Sequence, residues 1–381
     1  RRLSPSPLPA VSRPSAAKAR PEIMAPLTND RPLRWGLIGT GRVAHDFAAA
    51  IYSAPNNEIA VIAGRSPSGA ARMAATYGGR GTTREGAAAY EELAKADDVD
   101  VVYVATYQTH HTAHVLLCLR NGKHVVCEKP MCMNAAEARQ CVAVARANKV
   151  LLMEGHWTHC WPAARAAAKL IREGKIGEVQ SVTSDFSFPY PTDKSKPEFQ
   201  NEMGGGATML VGVYPLCMIM RHLGRPSNVK AVGVTERTSA QGSVDTAANV
   251  ALEFPGGKVG VATYGWKGEG AQETVIVGDK GRIVLHNPAH APIRLTVMVQ
   301  AGERNKYNTE TMDFPLPPHP KELPPIIHPH SEGFLHEVLA VEAALRGGKA
   351  ECEAMPMDAS VHLAETVDAI REQLGVDWKI D

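Results

Sequence analysis

The sequence lacks a net charge of either sign, a long hydrophobic run and an abundance of aromatic residues. Its 41 basic and 40 acidic residues leave a formal charge of +1, which provides no field to gather phosphate backbones or anionic lipid. No apolar run approaches the roughly 20 residues of a membrane-spanning helix. With 44% hydrophobic and only 6% aromatic residues, the chain has the composition of a globular protein. Neither nucleic acid nor a membrane is expected as a partner.

Cysteine is also scarce, and the spacing of the cysteines argues against a disulfide network or a zinc site. The seven cysteines form an odd count without Cys-x-x-Cys spacing, and most lie in apolar, periodic segments. This pattern predicts buried, free thiols in a reducing compartment rather than a disulfide network or a zinc site.

The first segment has no acidic residue before Glu22 and is rich in Pro, Ser, Ala and Arg. Residues 1–30 are therefore expected to form a leader outside the fold. An organelle transit peptide, a disordered leader and translated upstream sequence share this composition. The expected location is cytoplasmic, or organellar if residues 1–23 are a transit peptide.

The remaining chain predicts two domains, since its length exceeds what one hydrophobic core usually organises. Over residues 31–154, short apolar strands alternate with helices, which predicts an α/β Rossmann domain with a doubly wound parallel sheet. Residues 155–381 have β-type runs with turn signals, which predict an α+β substrate domain with a largely antiparallel open sheet. A polar loop is predicted between a helix at 163–173 and a glycine-rich helix start at Gly204.

A glycine-rich turn follows the first predicted strand and opens a helix. It reads Gly39-Thr40-Gly41-Arg42-Val43-Ala44. In this context glycines let the backbone approach a pyrophosphate at the positive end of the helix, so Gly39, Gly41, Arg42 and Val43 are candidate dinucleotide ligands. The alternative is a tight strand–helix turn without a ligand.

The end of the second strand indicates which dinucleotide would bind. Enzymes selective for NAD usually place an acid there, whereas this chain has Arg65 and Ser66. A guanidinium pairs with a 2′-phosphate and a hydroxyl donates to it. We predict NADP as the cofactor, with a solvated surface arginine as the alternative.

The tripeptide Glu128-Lys129-Pro130 follows another strand of the same sheet. Lys129 should emerge at the carboxyl edge of the sheet, where ligands of such folds bind. Its ammonium could hold a substrate hydroxyl and lower the pKa of a neighbouring phenol. The alternative is a loop lysine before a turn proline.

Taken in order, these motifs resemble the Gfo/Idh/MocA oxidoreductases. The fingerprint, Glu128-Lys129-Pro130, Gly204-Gly205-Gly206-Ala207 followed by Gly212-Val213-Tyr214, and Val277-Gly278-Asp279-Lys280-Gly281 occur in the family's order. The likeness runs from about residue 33 to 376, with several stretches typical of the dihydrodiol dehydrogenase branch. It implies hydride transfer between NADP and a ring carbinol of a sugar such as D-xylose, or of a cyclic trans-diol, in a homodimer joined through the open sheet.

The resemblance also implies roles for individual residues. It makes Tyr214 the catalytic acid/base and Lys129 its partner, Arg65 the 2′-phosphate ligand and Trp157 a wall of the substrate pocket. His111 and Glu128 would lie near the coenzyme. A free phenol has a pKa near 10, so Tyr214 needs a cation such as Lys129 to act as a base at neutral pH.

One position departs from the family pattern. The family usually has Asp four residues before the catalytic Tyr or His, and this chain has Leu210. Residues 210 and 214 should share a helical face, so Leu210 is expected in the substrate cleft, where it cannot accept a hydroxyl. Two rival functions therefore stay open: a nicotinamide-dependent glycosidase of the same fold, and a non-catalytic NADP-binding regulatory protein.

Histidines and one cysteine offer further candidates. His110 and His114 have a spacing compatible with a metal, but no carboxylate or thiolate completes a site, so no metal is expected. His156 and His159 are candidates to line the pocket. Cys160 is expected to pack in the core, since no activating base is evident beside it.

Overall fold

The structure is a computed structural model that describes Thr28 and residues 30–238, 242–303 and 305–376. The leader predicted for residues 1–30 lies almost entirely outside the described residues. From Leu33 onward the chain forms two sheets, one in each predicted domain.

The first sheet is the predicted parallel, doubly wound sheet. Its six strands are ordered β3-β2-β1-β4-β5-β6 and every neighbouring pair is parallel. All four residues of β4 are buried, as expected of a central strand covered on both faces. The strands are β1 Leu33–Ile38, β2 Asn57–Ala63, β3 Arg80–Gly81, β4 Val101–Val104, β5 His124–Glu128 and β6 Leu152–Gly155. The helices are α1 Arg42–Ser53, α2 Pro67–Tyr77, α3 Gly86–Ala94, α4 Gln108–Arg120 and α5 Ala135–Asn148.

The second sheet has eight strands in the order β14-β13-β12-β11-β7-β10-β9-β8. Only the β7–β10 pair is parallel, so the prediction of a largely antiparallel sheet is confirmed. Its strands are β7 Val179–Ser187, β8 Asn228–Arg237, β9 Ser243–Phe254, β10 Lys258–Gly265, β11 Thr274–Gly278, β12 Gly281–Leu285, β13 Arg294–Gln300 and β14 Tyr307–Asp313. The helices are α6 Pro162–Arg172, α7 Val213–Leu223, α8 Phe334–Arg346 and α9 Met357–Leu374, with short turns at Trp157–Cys160, Pro197–Phe199, Asn201–Met203, Thr208–Gly212 and Ser331–Gly333.

The central strand β7 was not expected from the sequence, which predicted a polar loop in this part of the chain. Six of the nine residues in its sequence VQSVTSDFS are polar, yet Val182 and Phe186 are buried. Ser184 is buried as well and shares a 2.7 Å hydrogen bond with Thr274 of β11. Polar side chains that find partners on the next strand conceal the strand from a hydropathy pattern.

The two closing helices pack against the Rossmann domain, although the sequence assigned them to the second domain. Phe334 of α8 packs edge-on against Phe47 of α1, with ring centroids 5.5 Å apart. Asp368 of α9 accepts a 2.9 Å hydrogen bond from the N–H of Ala135. The end of the chain therefore braces the Rossmann sheet against the larger sheet.

The Pro- and His-rich stretch before α8, residues 314–330, is hydrogen-bonded to the Rossmann domain. The nearly buried carboxylate of Asp46 on α1 accepts hydrogen bonds from the N–H groups of Ile327 and His328 at 2.8 and 3.0 Å. It also pairs with Nδ1 of His328 at 2.7 Å. His328 therefore anchors this stretch through both its backbone N–H and its ring.

One helical run passes the length and composition test for a membrane span. It covers Asn201–Leu223, but 83% of its apolar window is buried inside the protein, as in the core helix of a globular fold. All seven cysteines are free and buried, which confirms the prediction made from their spacing.

Candidate active site

The glycine fingerprint forms the turn between β1 and α1, as predicted. Gly39 has a φ of +117°, and a Cβ there would lie 2.4 Å from the carbonyl oxygen of Ala105, so only glycine fits. Gly41 is the N-cap of α1, and a Cβ on it would meet nothing within 4 Å. The space beside Gly41 is therefore open to a ligand.

The residues around this turn fit a dinucleotide. The first turn of α1 has no acidic residue and no side-chain cap, so its N–H groups remain available to a pyrophosphate. Arg42 is exposed and Val43 partly buried at this helix start.

The end of β2 fits an additional phosphate. Arg65 is exposed, and the hydroxyl of Ser66 caps α2 by accepting a 3.2 Å hydrogen bond from the N–H of Gly69. Because the Ser66 hydroxyl proton is not used in that bond, it can still donate. The first turn of α2 also lacks an acid, so no carboxylate there would repel a 2′-phosphate.

His111, which the family resemblance places near the coenzyme, has both ring nitrogens next to backbone carbonyls. Its side chain is buried, with Nδ1 2.8 Å from the carbonyl of Pro130 and Nε2 2.9 Å from that of Thr106. His111 therefore joins the loops that follow β4 and β5.

Lys129 lies beside Tyr214, as the proposed pairing requires. Its Nζ is 4.6 Å from the centroid of the Tyr214 ring and donates a 2.7 Å hydrogen bond to the carbonyl of Leu210. Residues 208–212 form a π-helical turn, in which a carbonyl pairs with the N–H five residues on. For Leu210 that residue is Pro215, which has no N–H, so the carbonyl is left for the lysine.

The net shift in the pKa of Tyr214 is opposite to the one expected from the ammonium alone, because other groups outweigh it. Nζ faces the ring of Tyr214, and its hydrogen bond goes to Leu210. Burial and the carboxyl groups of Glu128 and Glu337 raise the pKa of Tyr214 well above its ordinary value, although the Trp157 indole favours the phenolate. Tyr214 is therefore a neutral phenol near pH 7.

Buried charges surround the pair. Glu128 accepts a 2.5 Å hydrogen bond from the hydroxyl of Tyr103, so this carboxylate is engaged within the protein rather than free for a cofactor. Burial raises the pKa of Glu128, while Lys129 opposes the shift. Burial also lowers the pKa of Lys129, against the attraction of Glu128 and Glu154. Each group of the Glu128–Lys129 pair thus stabilises the charge of the other.

A second ion pair lies behind Tyr214. Nε2 of His156 is 3.6 Å from the Glu154 carboxylate, and the His156 ring packs edge-on against Tyr214 at 5.9 Å. Burial alone would lower the pKa of His156, but Cys217 and Glu154 outweigh it and raise the pKa to about 10. Burial would raise the pKa of Glu154, but His156 and the N–H of Met131 lower it.

The walls beside the phenol are aromatic. Trp157, predicted as a pocket wall, is buried with its indole beside the Tyr214 phenol. Phe186 and His290 stack on each other at 4.1 Å and lie 5.4 and 5.6 Å from Tyr214 between ring centroids. Burial lowers the pKa of His290 to about 3, so its ring is neutral. Together these side chains offer flat apolar faces with a few hydrogen-bonding atoms.

The structure also shows where the two candidate substrate residues His159 and Leu210 lie. His159 is fully buried, and its Nδ1 lies 2.9 Å from the carbonyl of Ala354. It is a core residue rather than a pocket residue. Leu210 adjoins the site as expected, but the contact that places it there is made by its backbone carbonyl.

His290, Phe186, Tyr103 and Glu337 were missed at the level of sequence. None stands in a recognisable motif, and Phe186 lies in the unpredicted strand β7. The apolar surroundings of His290 in the run Asn287-Pro288-Ala289-His290-Ala291-Pro292 are the only local signal that this histidine is not a solvated one.

The remaining histidines do not assemble a metal centre. His110 and His114 are 6.1 Å apart between ring centroids, and His114 is 3.0 Å from the hydroxyl of Thr106 through Nδ1. No group of three or more His, Cys, Asp or Glu side chains in the described part of the chain is arranged to hold a metal ion.

Family models match most of the folded chain. The GFO/IDH/MocA model, described as an oxidoreductase family with an NAD-binding Rossmann fold, matches residues 33–156. The GFO/IDH/MocA C-terminal domain model matches residues 164–284.

Proteins similar in sequence to this chain include dehydrogenases from vertebrates. Trans-1,2-dihydrobenzene-1,2-diol dehydrogenase from Homo sapiens is 31% identical over 358 residues, covering 92% of this chain and 99% of the relative. The enzyme of that name from Bos taurus is 32% identical over 354 residues, with the same coverage.

Solved structures have the same architecture. KijD10, a 3-ketoreductase from Actinomadura kijaniata in complex with NADP and TDP-benzene, superposes with a TM-score of 0.71 at 28% identity, covering 90% of this chain and 98% of its own. An aldose-aldose oxidoreductase from Caulobacter crescentus gives a TM-score of 0.76 at 23% identity, covering 90% and 97%. The second likeness concerns the fold alone.

Proposed function

Because this chain belongs to the GFO/IDH/MocA oxidoreductase family, we propose that it transfers hydride between NADP and a ring carbon of a sugar or a cyclic diol. The observation that carries the proposal is the Lys129–Tyr214 contact at the carboxyl edge of the parallel sheet, 4.6 Å from ammonium to ring centroid. Gly39, Gly41 and the N-terminus of α1 would hold the pyrophosphate, and Arg65 with Ser66 the 2′-phosphate.

Tyr214 is the proposed acid/base. The bound nicotinamide supplies the hydride chemistry. In the reductive direction the neutral phenol gives its proton to the carbonyl oxygen of the substrate, and in the oxidative direction the phenolate takes the hydroxyl proton. Lys129, fixed on the Leu210 carbonyl, stabilises the negative charge that develops on either oxygen.

The aromatic walls support a cyclic substrate. Flat side chains such as Phe186 and Trp157 cover the C–H faces of a ring, and neutral His290 can exchange hydrogen bonds with hydroxyl groups. Since Leu210 provides no carboxylate, hydroxyl recognition in this pocket would fall to neutral groups. A sugar such as D-xylose and a trans-dihydrodiol both meet these requirements.

The open sheet supports a homodimer as the working assembly. Its outer face exposes Val259 and Val261 of β10 at 48% and 40%, and Val232 of β8 at 77%. An apolar sheet face of this kind is a characteristic contact surface between copies of a chain.

The deciding experiment is a panel of sugars, cyclic diols and the corresponding ketones, followed through the absorbance of reduced nicotinamide, with wild type and Tyr214→Phe. We expect turnover in both directions with NADP(H), and a loss of about 10²–10⁴-fold in kcat for the variant. Tyr307→Phe, on exposed β14, is the matched control and should behave as wild type.

The same panel separates the rival functions. Glycoside cleavage without net reduction of added NADP would favour the glycosidase. NADPH binding without turnover of any substrate would favour the regulatory protein. A fully active Tyr214→Phe would show that another group is the acid/base.

A further inference from the structure

Glu337, in the first turn of α8, is a buried acid that the proposed chemistry does not use. Its side chain is 0% exposed, and neither carboxyl oxygen has a hydrogen-bond partner among the described residues. An unpaired carboxylate in such a place would be very costly, whereas the neutral acid costs far less. Burial without a hydrogen-bond partner therefore favours the protonated, neutral form of Glu337.

The fold makes room for Glu337 beside the catalytic strands. Gly155 ends β6 and is paired with Glu128 on β5. A Cβ on Gly155 would lie 3.3 Å from Oε1 of Glu337 and 3.5 Å from the Cα of Glu128. The carboxyl group thus occupies the space that a side chain at 155 would fill, next to the residue that precedes Lys129.

Titratable groups face Glu337 from every neighbouring element. The shift in its own pKa comes from burial first, then from Glu128, which both raise it, while His156 lowers it. Glu337 in turn raises the pKa of Tyr103, Tyr214, Cys160 and Cys352.

The charges of this cluster do not balance if every acid is ionised. Two cations, Lys129 and His156, face three carboxyl groups. Glu154 is paired with His156 at 3.6 Å, and Glu128 is attracted to Lys129. No cation remains for Glu337. Of three neighbouring acids, the one without a hydrogen bond or counter-ion holds its proton most firmly.

We propose that Glu337 is a positioning residue of the active site, kept as a neutral carboxylic acid so that no third carboxylate competes with Glu128 and Glu154 for the charges of Lys129 and His156 beside Tyr214. It acts through Glu128 and does not touch substrate. The catalytic part of this proposal rests on the proposed function, but the protonation of Glu337 does not.

The first test is spectroscopic and needs no turnover. Infrared spectra of the full chain with NADP at neutral pH are compared for wild type and Glu337→Gln. We expect the variant to lose a component of the carbonyl stretch of protonated carboxylic acids. Glu342→Gln, on the same helix but ion-paired with Arg346 at 2.7 Å, should keep that component. Glu337→Met provides the comparison if the Gln variant does not fold. An unchanged band in the Glu337 variants overturns the proposal.

The second test uses the pH profile of the oxidative reaction. Glu337→Gln should change the alkaline limb of the profile, whereas Glu128→Gln should lose about 10²-fold in kcat at neutral pH because Lys129 loses its counter-ion. Without a carboxyl at 337 to ionise, the apparent pKa of the base should fall by about one unit. A tenfold loss of kcat for Glu337→Gln at neutral pH with unchanged KM would mean that Glu337 acts as an anion and would overturn the proposal.

The two proposals can fail separately. An inactive wild type would refute the proposed function, while the infrared result would still decide the protonation of Glu337.

Discussion

The ammonium of Lys129 lies 4.6 Å from the centroid of the Tyr214 ring, yet its hydrogen bond goes to the backbone of Leu210 at 2.7 Å. The lysine is thus fixed by the main chain of a π-helical turn rather than by a side-chain acid. This arrangement keeps its charge near the phenol while leaving the phenol neutral. The chemistry of the site then depends on pH in a way that can be measured.

The two directions of reaction should respond differently to pH. Because burial, Glu128 and Glu337 raise the pKa of Tyr214, the phenol can donate a proton throughout the neutral range. Ketone reduction should therefore be insensitive to pH near neutrality, whereas kcat/KM for alcohol oxidation should rise about tenfold per pH unit into the alkaline range. Initial rates in both directions test this. An oxidation profile that already reaches its plateau at neutral pH would contradict it.

Arg65 should determine the preference for the phosphorylated cofactor. Loss of one charge-assisted contact costs about 1.5–3 kcal/mol, so Arg65→Ala should weaken NADP binding by about 10–100-fold and leave NAD binding nearly unchanged. Titration with each cofactor measures the effect. Arg72→Ala, exposed on the helix α2 that follows Arg65, is the control. Equal efficiency of wild type with NAD and NADP would refute the assignment.

The Asp46–His328 contact should make stability depend on pH at the acid end. Burial alone would raise the pKa of Asp46, but His328 and the N–H groups of residues 327 and 328 outweigh it and lower the pKa below 3.8. The contribution of this carboxylate is therefore present above about pH 4 and is lost as the pH falls through its folded-state value.

Asp46→Asn should accordingly lower the free energy of unfolding by about 1–3 kcal/mol at neutral pH, with a smaller difference in acid. Denaturant unfolding at several pH values is the measurement. Asp98→Asn removes an exposed pair with Arg80 and should have little effect. A difference for Asp46→Asn that is the same in acid as at neutral pH would argue against this account.

The exposed face of the larger sheet should be the dimer contact. Val261→Glu places a charge on the middle of that face, next to Thr183 and Ala251 on the flanking strands. We expect the variant to have half the solution mass of wild type by light scattering. Leu339→Glu, an equally exposed apolar site at 38% on α8, should leave the mass unchanged. A monomeric wild type would remove the basis for this expectation.

Much of the fold and part of the site followed from the amino-acid sequence alone. The parallel sheet, the glycine turn at Gly39 and the family were predicted correctly, because periodic burial and short motifs are local properties. The pairing of Tyr214 with Lys129 was implied by the family resemblance, and the two side chains lie together in the structure. Strand β7 was missed, since the partners of its polar side chains lie some ninety residues away along the chain. The contacts of His111 and His159 with backbone carbonyls could not be predicted, because a histidine satisfied by backbone carbonyls cannot be told from a ligand-binding one by its neighbours in sequence.

Residue order by itself determined which elements form and where a dinucleotide can approach the backbone, since both depend on contacts between residues near in the chain. Only the tertiary structure decided the charge of the site. Glu128, Glu154 and Glu337 come from three separate elements, and their proton affinities depend on burial and mutual distance. The same holds for Tyr214, whose ordinary phenol becomes a weaker acid because of what the fold packs around it.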